Sequence, residues 1–308
     1  MSGADRPPND ADRPPNDADL ARAVELAPKY DRPGPRYTSY PPAPHFHEGI
    51  GPDEAAEVYR SRGTDAPPLS VYFHLPFCEE MCTYCGCNVI VSRNKAIVDR
   101  YLESLLPEID LASELLSGGN RQVIQVHLGG GTPTYFAPAA MERLHLDLQD
   151  RFEFLPEAEI ALEVDPSVTT PEHVETLARL GFQRISMGVQ DFNPQVQEAV
   201  NRIQSVDLTL DLVRGARAHG FQSVNIDLMY GLPHQQLDTF QQTLDAAIEH
   251  IAPDRVSLFG YAHVPWLKPH MRKIDEATLP KPTERLALFQ AGVRSFVAAG
   301  YEFIGLDH

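Results

Sequence analysis

The sequence predicts an α/β fold built on a parallel sheet, and three observations carry that reading. Short apolar runs rich in β-branched residues recur from Leu69 onward. Amphipathic segments with apolar residues three and four apart separate most of them. Gly181, Gly220 and Gly300 each follow such a segment, where a left-handed residue ends a helix. Strand–helix alternation sustained this long implies right-handed crossovers between parallel strands. A doubly wound sheet and a (β/α) barrel both satisfy the pattern. In both, the chemistry belongs at the C-terminal ends of the strands.

The elements follow in order. ADRPPND occurs twice in succession from Ala4 to Asp17, so residues 1–19 read as a disordered, Pro-rich repeat tail, a tandem duplication with no function of its own. Order is expected from Leu20, with 20–68 an N-terminal extended and helical segment and 69–308 the core. Within the former, KYDRPGPRYTSYPPAPHF (29–46) is too rich in proline for a helix interior and reads as an extended segment laid over a surface. Strands are expected at 69–75, 122–128, 159–164, 184–189, 223–230 and 255–261, with a seventh at YEFIGL (301–306). Helices are expected at 97–116, 139–151, 171–180, 208–219, 238–250 and 283–299.

Composition narrows the function. Apolar residues make up 43% and charged residues 22%, ordinary values for a globular protein. A formal charge of −17 argues against nucleic acid or an anionic membrane as partner, because like charges repel. No apolar run approaches the roughly 20 residues that span a bilayer, and the opening MSGADRPPND has no secretory apolar stretch. A cytoplasmic, reducing location is expected, where clustered cysteines bind metal more often than they pair.

All four cysteines lie in CEEMCTYCGCN (78–88), after the strand 69–75. Structural zinc usually takes two cysteine pairs well apart in sequence, and four thiolates on one short loop fit a tetrahedral ion poorly. An iron–sulfur cube presents irons at separate corners, and one loop can wrap three of them, leaving one iron open to chelate a small molecule. With all four cysteines as ligands the cluster would only carry electrons. GGGTPTY (129–135) ends the second strand; its glycines let backbone N–H groups approach a carboxylate or phosphate, or form only a tight turn. Glu163 ends the third strand, where its carboxylate either hydrogen-bonds ribose hydroxyls or an ammonium group or, with Asp165, only caps the next turn. Gln190, Arg202 and Asp227 are polar residues at or just beyond later strand ends, and such a set points to one concave site.

The C-x3-C-x-aromatic-C spacing after the first strand resembles the radical S-adenosylmethionine superfamily. PRYTSYP (35–41), HLPFCEEMCTYCGCN (74–88), HLGGGTPTY (127–135), EVDP (163–166), SMGVQDFN (186–193), NRIQ (201–204), NIDLMYGLP (225–233), YAHVP (261–265) and YEFIGLDH (301–308) are similar to its oxygen-independent coproporphyrinogen III oxidase family. The likeness runs from about Tyr30 to the last residue. It implies a partial (β/α)6 barrel of TIM-like type and a [4Fe–4S] cluster held by Cys78, Cys82 and Cys85, with Cys87 present but not a ligand. It implies two S-adenosylmethionine molecules. Tyr72, Gly130 and Glu163 would contact the first; Tyr84, Gly131, Thr132, Gln190, Arg202, Asp227 and Ala262 would contact the second. The implied reaction is oxidative decarboxylation of two propionates of coproporphyrinogen III to vinyls, giving protoporphyrinogen IX in heme biosynthesis, by a 5′-deoxyadenosyl radical. The implied partners are that substrate and an unidentified electron donor and acceptor, with the protein a monomer.

No acid–base residue is singled out as catalytic, while Arg32 and Arg36 are candidates to receive substrate carboxylates. The family's chains continue into a smaller helical C-terminal domain, so the resemblance implies a core truncated at its C-terminal end. A heme-binding chaperone relative shares the cluster loop and GGGTP; PRYTSYP, Cys87 and the Asn-Arg-x-Gln phrase favour the oxidase.

Overall fold

The structure is a computed structural model that describes residues 16–30 and 45–305. The rest of the Pro-rich repeat, the PRYTSYP phrase with Arg32 and Arg36, and residues 306–308 lie outside the described residues. The strands are β1 (Leu69–Leu75), β2 (Phe77–Cys78), β3 (Ile90–Val91), β4 (Gln122–Gly130), β5 (Glu153–Val164), β6 (Arg184–Gln190), β7 (Ser223–Tyr230) and β8 (Arg255–Gly260). The helices are α1 (Asp17–Tyr30), α2 (Pro52–Arg60), α3 (Lys95–Leu115), α4 (Pro138–Arg151), α5 (Pro171–Arg179), α6 (Pro194–Val200), α7 (Val206–Ala218), α8 (Leu237–Ala246) and α9 (Pro282–Ala298).

The main sheet has six strands in the order β1-β4-β5-β6-β7-β8, every pair parallel. A doubly wound sheet reverses its order at a switch point. This order never reverses, so right-handed crossovers put α3, α4, α5, α7 and α8 on the same face, and the open choice resolves to a partial barrel. The helices form the outer layer, α3 packing on α4, α4 on α5, α5 on α7 and α8 on α9.

Strand periodicity then divides each strand between two environments. On β7, Val224, Ile226 and Leu228 are buried toward the helices, whereas Asn225 and Asp227 alternate with them and face the hollow. On β6, Ile185, Met187 and Val189 play the buried part and Ser186 and Gly188 the inner one. Val126 and Leu128 against His127 on β4, and Ile160 and Leu162 against Glu163 on β5, repeat the division. The large core cluster is therefore outside the sheet, and the inner face is free to carry polar groups.

The six predicted strands and six predicted helices of the core all form. The seventh strand does not: residues 301–305 pair with no strand. Gly300, at φ +91, turns the chain at the end of α9, the Tyr301 ring packs edge-on against Phe296, and its hydroxyl donates to the Pro253 carbonyl at 2.5 Å. These contacts hold the segment against α9 and the loop before β8, away from the β8 edge. Helix α1 begins at Asp17, inside the stretch expected to be disordered to residue 19. Asn16 and Asp19 cap it reciprocally, each side chain accepting from the other's backbone N–H at 2.9–3.0 Å. Leu20 is buried, and its carbonyl accepts from Gln290 on α9.

Candidate functional site

Cys78 lies on β2, and β2 pairs with β3 to zip the base of the cysteine loop. The loop is tied down along its length. Thr83 donates its backbone N–H to the Val200 carbonyl at 3.0 Å and Asn201 Nδ2 donates to the Met81 carbonyl at 2.9 Å. From the far side, Lys268 Nζ donates to the Cys87 carbonyl at 2.9 Å and His270 Nε2 meets the Cys85 carbonyl at 2.8 Å. His74 on β1 reaches the Asn88 carbonyl at 2.8 Å. A loop anchored at this many points keeps its thiols in place before any ligand arrives.

The loop roofs a cavity of about 550 Å³ at the C-terminal ends of the strands. Cys78, Cys82, Cys85 and Cys87 all line it, with Tyr84, Gly130, Gly131, Thr132, Glu163, Gln190, Arg202 and Asp227. Two expected contacts stay off its wall. Tyr72 lies beside it, stacked on His127 with ring centroids 6.0 Å apart, its hydroxyl 3.0 Å from His74 Nδ1. Ala262 is exposed in the loop after β8.

The glycine turn is shaped by close approach. A Cβ on Gly131 would sit 2.7 Å from the Pro76 backbone, and Gly130 has φ +115 with the His74 ring 2.7 Å from where its Cβ would be. Gly130 N–H donates to Glu163 Oε2 at 3.2 Å, and His127 Nε2 is 3.5 Å from Oε1. Thr132 Oγ1 lies 3.6 Å from Cys78 Sγ, so this turn touches the cysteine loop directly.

Arg202 is the main buried cation of the site. It pairs with Asp165 at 3.0 Å, donates to the Gly188 carbonyl at 2.7 Å and approaches Cys82 Sγ at 3.8 Å. Burial acts to lower its pKa, but Tyr84, Asp165 and Cys82 together outweigh burial and raise it. Asp165 was legible only as a turn cap: its Oδ1 does accept from Ser167 N at 2.9 Å. The salt bridge from Oδ2 was missed, although its place two residues after Glu163 put it on the same face. Ser186, Met229 and Phe259 also line the cavity and carried no sequence signal beyond strand alternation.

Gln190 has φ +66, unusual for a non-glycine residue, at the end of β6. The following Asp191 is buried and holds that turn. Its carboxylate accepts from Asn193 N at 2.6 Å, Thr243 Oγ1 at 2.8 Å and Gln235 Nε2 at 2.6 Å. Asp227, on the inner face of β7, accepts from Asn225 Nδ2 at 2.9 Å, and burial pushes its pKa up to about 6.

The donor set fits an iron–sulfur centre. All four cysteines are free, and soft thiolates without histidine suit iron–sulfur chemistry. Among the described residues no three His, Cys, Asp or Glu side chains converge on one point as a single ion requires. Burial raises Cys78 to about 11 and also raises Cys82, whereas the hydrogen bond from the Cys87 thiol lowers Cys85 to about 6. Metal binding would deprotonate such thiols outright. Gln190 and Arg202 line the same cavity, and among the described residues Gln190 Oε1 and Arg202 Nε are buried without a hydrogen-bond partner.

Compared with known proteins, residues 72–247 match the profile of the radical SAM superfamily, which is more than half of the chain. The chain belongs to the radical SAM superfamily. Radical SAM proteins use S-adenosylmethionine and a [4Fe–4S] cluster, and the parallel α/β core described above is the fold of this superfamily. Within it, the chain is 45% identical over 288 residues to the oxygen-independent coproporphyrinogen III oxidase of Escherichia coli, covering 92% of this chain and 61% of that protein. It is 42% identical over 286 residues to the enzyme of the same name from Synechocystis sp., covering 93% and 61%. The solved structure of coproporphyrinogen III oxidase from Escherichia coli, described as a radical SAM enzyme, superposes with a TM-score of 0.84 at 42% identity, over 92% of this chain and 63% of that one. The chain thus spans about three fifths of the length of the relatives it matches. No helix among the described residues is long and apolar enough to cross a membrane.

Proposed function

We propose that this radical SAM chain performs the oxygen-independent oxidative decarboxylation of two propionates of coproporphyrinogen III, giving protoporphyrinogen IX. The observation that carries the reading is the convergence of Cys78, Cys82 and Cys85, the Gly130–Thr132 turn, Gln190 and Arg202 on one cavity. Identity of 45% to a relative of that activity's name supports the substrate. In this reading Cys78, Cys82 and Cys85 hold the cluster, and Cys87 does not. When bound, the cluster and S-adenosylmethionine supply a 5′-deoxyadenosyl radical.

The chain's own residues bind and orient. The N–H groups of Gly130, Gly131 and Thr132 already donate to Glu163 and to the Leu75 and Phe77 carbonyls, so the turn offers close approach, not free donors. Arg202 is the cation nearby that suits a carboxylate. Glu163, and Tyr72 at the rim, suit the ammonium and ribose of one S-adenosylmethionine. Tyr84, Gly131, Thr132, Gln190, Arg202 and Asp227, with Ala262 beyond the wall, suit a second. The protonated share of Asp227 near neutral pH can donate to a ligand oxygen as well as accept.

Anaerobic reconstitution with iron and sulfide, followed by dithionite, S-adenosylmethionine and coproporphyrinogen III, tests the proposal. Carbon dioxide release with matching 5′-deoxyadenosine is expected. Decarboxylation without 5′-deoxyadenosine, or stable heme binding without carbon dioxide, overturns it.

A further inference from the structure

The chain carries a formal charge of −17, yet residues 256–274 contain no Asp or Glu, while Lys268, Arg272, Lys273, His263 and His270 all fall within them. This strip runs from β8 into the loop after it, where residues 261–274 lie against the cysteine loop. Lys268 and His270 reach the carbonyls of Cys87 and Cys85 at 2.9 and 2.8 Å. Met271 and Ile274 are buried in the small core cluster against which Tyr84 packs, so the strip is pinned to the loop from beneath.

Its outer side is built differently. Trp266 and Leu267 are 68% and 70% exposed. Arg272 and Lys273 are exposed, and no ion pair or side-chain hydrogen bond engages them among the described residues. Acidic residues return only at Asp275, which caps the next turn, and Glu276, which pairs with His263 at 3.2 Å. No residue from 261 to 274 lines the cavity, so the strip stands outside the space a small molecule would fill.

We propose that this strip is the docking surface for an acidic, low-potential one-electron carrier protein. Opposite charge steers such a partner to an acid-free, cation-bearing stretch of an acidic chain. Exposed tryptophan and arginine side chains are among the usual anchors of an interface. The surface lies one hydrogen bond from the backbone of Cys85, a cluster ligand in the reading above, and of Cys87, which gives an electron a short route inward from a protein outside. The step rests on the radical SAM reading above. One electron leaves the reduced centre of the carrier and enters the cluster, the carrier is oxidised by that electron, and no bond is made or broken in the transfer.

The test uses an acidic plant-type [2Fe–2S] ferredoxin as the carrier, with wild type and an Arg272→Glu/Lys273→Glu double variant. Both side chains are exposed and unpaired, so equal thermal melts of the two proteins are expected. Calorimetric titration at low ionic strength should show ferredoxin binding weakened about tenfold or more, with a shallower salt dependence. Formation of 5′-deoxyadenosine should fall to match when ferredoxin is the reductant and stay unchanged with dithionite. Trp266→Ala should weaken binding while leaving the salt dependence intact. Absent ferredoxin binding by wild type, or equal binding by wild type and the double variant, overturns the proposal. So does a raised KM for coproporphyrinogen with dithionite, which would make the strip a substrate site. If wild type cleaves no S-adenosylmethionine even with dithionite, the functional reading fails instead, and the titration still decides the docking surface.

Discussion

Asp227→Asn should make the protein more stable at neutral pH and less so, relative to wild type, in acid. Asp227 sits on the inner face of β7 with its pKa raised from 3.8 to about 6, burial being the largest cause and the Glu163 charge adding to it. A pKa raised on folding favours the folded state fully below the unfolded value near 4, and that advantage is lost as pH climbs through about 6. A rise of that size corresponds to roughly 3 kcal/mol once the carboxylate is fully charged, at about 1.4 kcal/mol for each tenfold change in proton affinity. Asparagine keeps the acceptor oxygen that Asn225 Nδ2 uses at 2.9 Å and cannot accept with both ends, which returns about 1 kcal/mol. The net expectation is a gain of about 1–2 kcal/mol at pH 7.5, and no gain at pH 4. Urea unfolding followed by circular dichroism from pH 4 to 8, anaerobically and without S-adenosylmethionine, measures it. A stability difference between variant and wild type that is flat with pH would refute the reasoning. The same substitution should weaken S-adenosylmethionine binding, because the site loses a carboxylate.

Arg202→Met removes the partner of Asp165, 3.0 Å away, and leaves a half-buried carboxylate uncompensated; a loss of about 3–5 kcal/mol is expected, read as a lower midpoint in denaturant. Gly131→Ala sets a Cβ 2.7 Å from the Pro76 backbone, which cannot yield as a side-chain tip could. It should cost about 1–3 kcal/mol and reduce iron loading by displacing the cysteine loop, both checked on reconstituted protein. Serine at Cys78, Cys82 or Cys85 should each abolish a stable cluster, whereas Cys87→Ser should retain about four irons per chain. An iron assay with EPR of the reduced protein separates the two outcomes.

Much of this was legible in the residues because strands and helices leave periodic traces. The runs around Val126, Ile185 and Ile226 are each strands in the structure, since an apolar stripe toward the helices fixes the register of a half-buried strand. The position of the cysteine loop after β1 and of GGGT after β4 followed from those strands, and with them the cavity. YEFIGL misled because its apolar residues meet α9 instead of a strand, and local pattern does not say which surface buries a side chain. Short elements also escaped: α6, and the pair β2 and β3, bury too few residues to show a period.

The sequence by itself determined the strand–helix alternation, the spacing of three thiols and one outlier, and the strand ends at which polar residues gather. The periodic pattern left a doubly wound sheet and a barrel open, and the family likeness implied the barrel. Only the tertiary structure shows the unreversed strand order that bears this out, because strand order is a choice among pairings that any one strand can make equally well. It also decided that Arg202 answers Asp165 and Cys82 at once, and that an acid-free strip far along the chain clasps the cysteine loop. Those partners lie more than thirty residues apart in sequence, up to about 180 for Lys268 and Cys87. Charge and hydrogen bonding act across space, and a linear pattern records only what each residue offers, not what it meets.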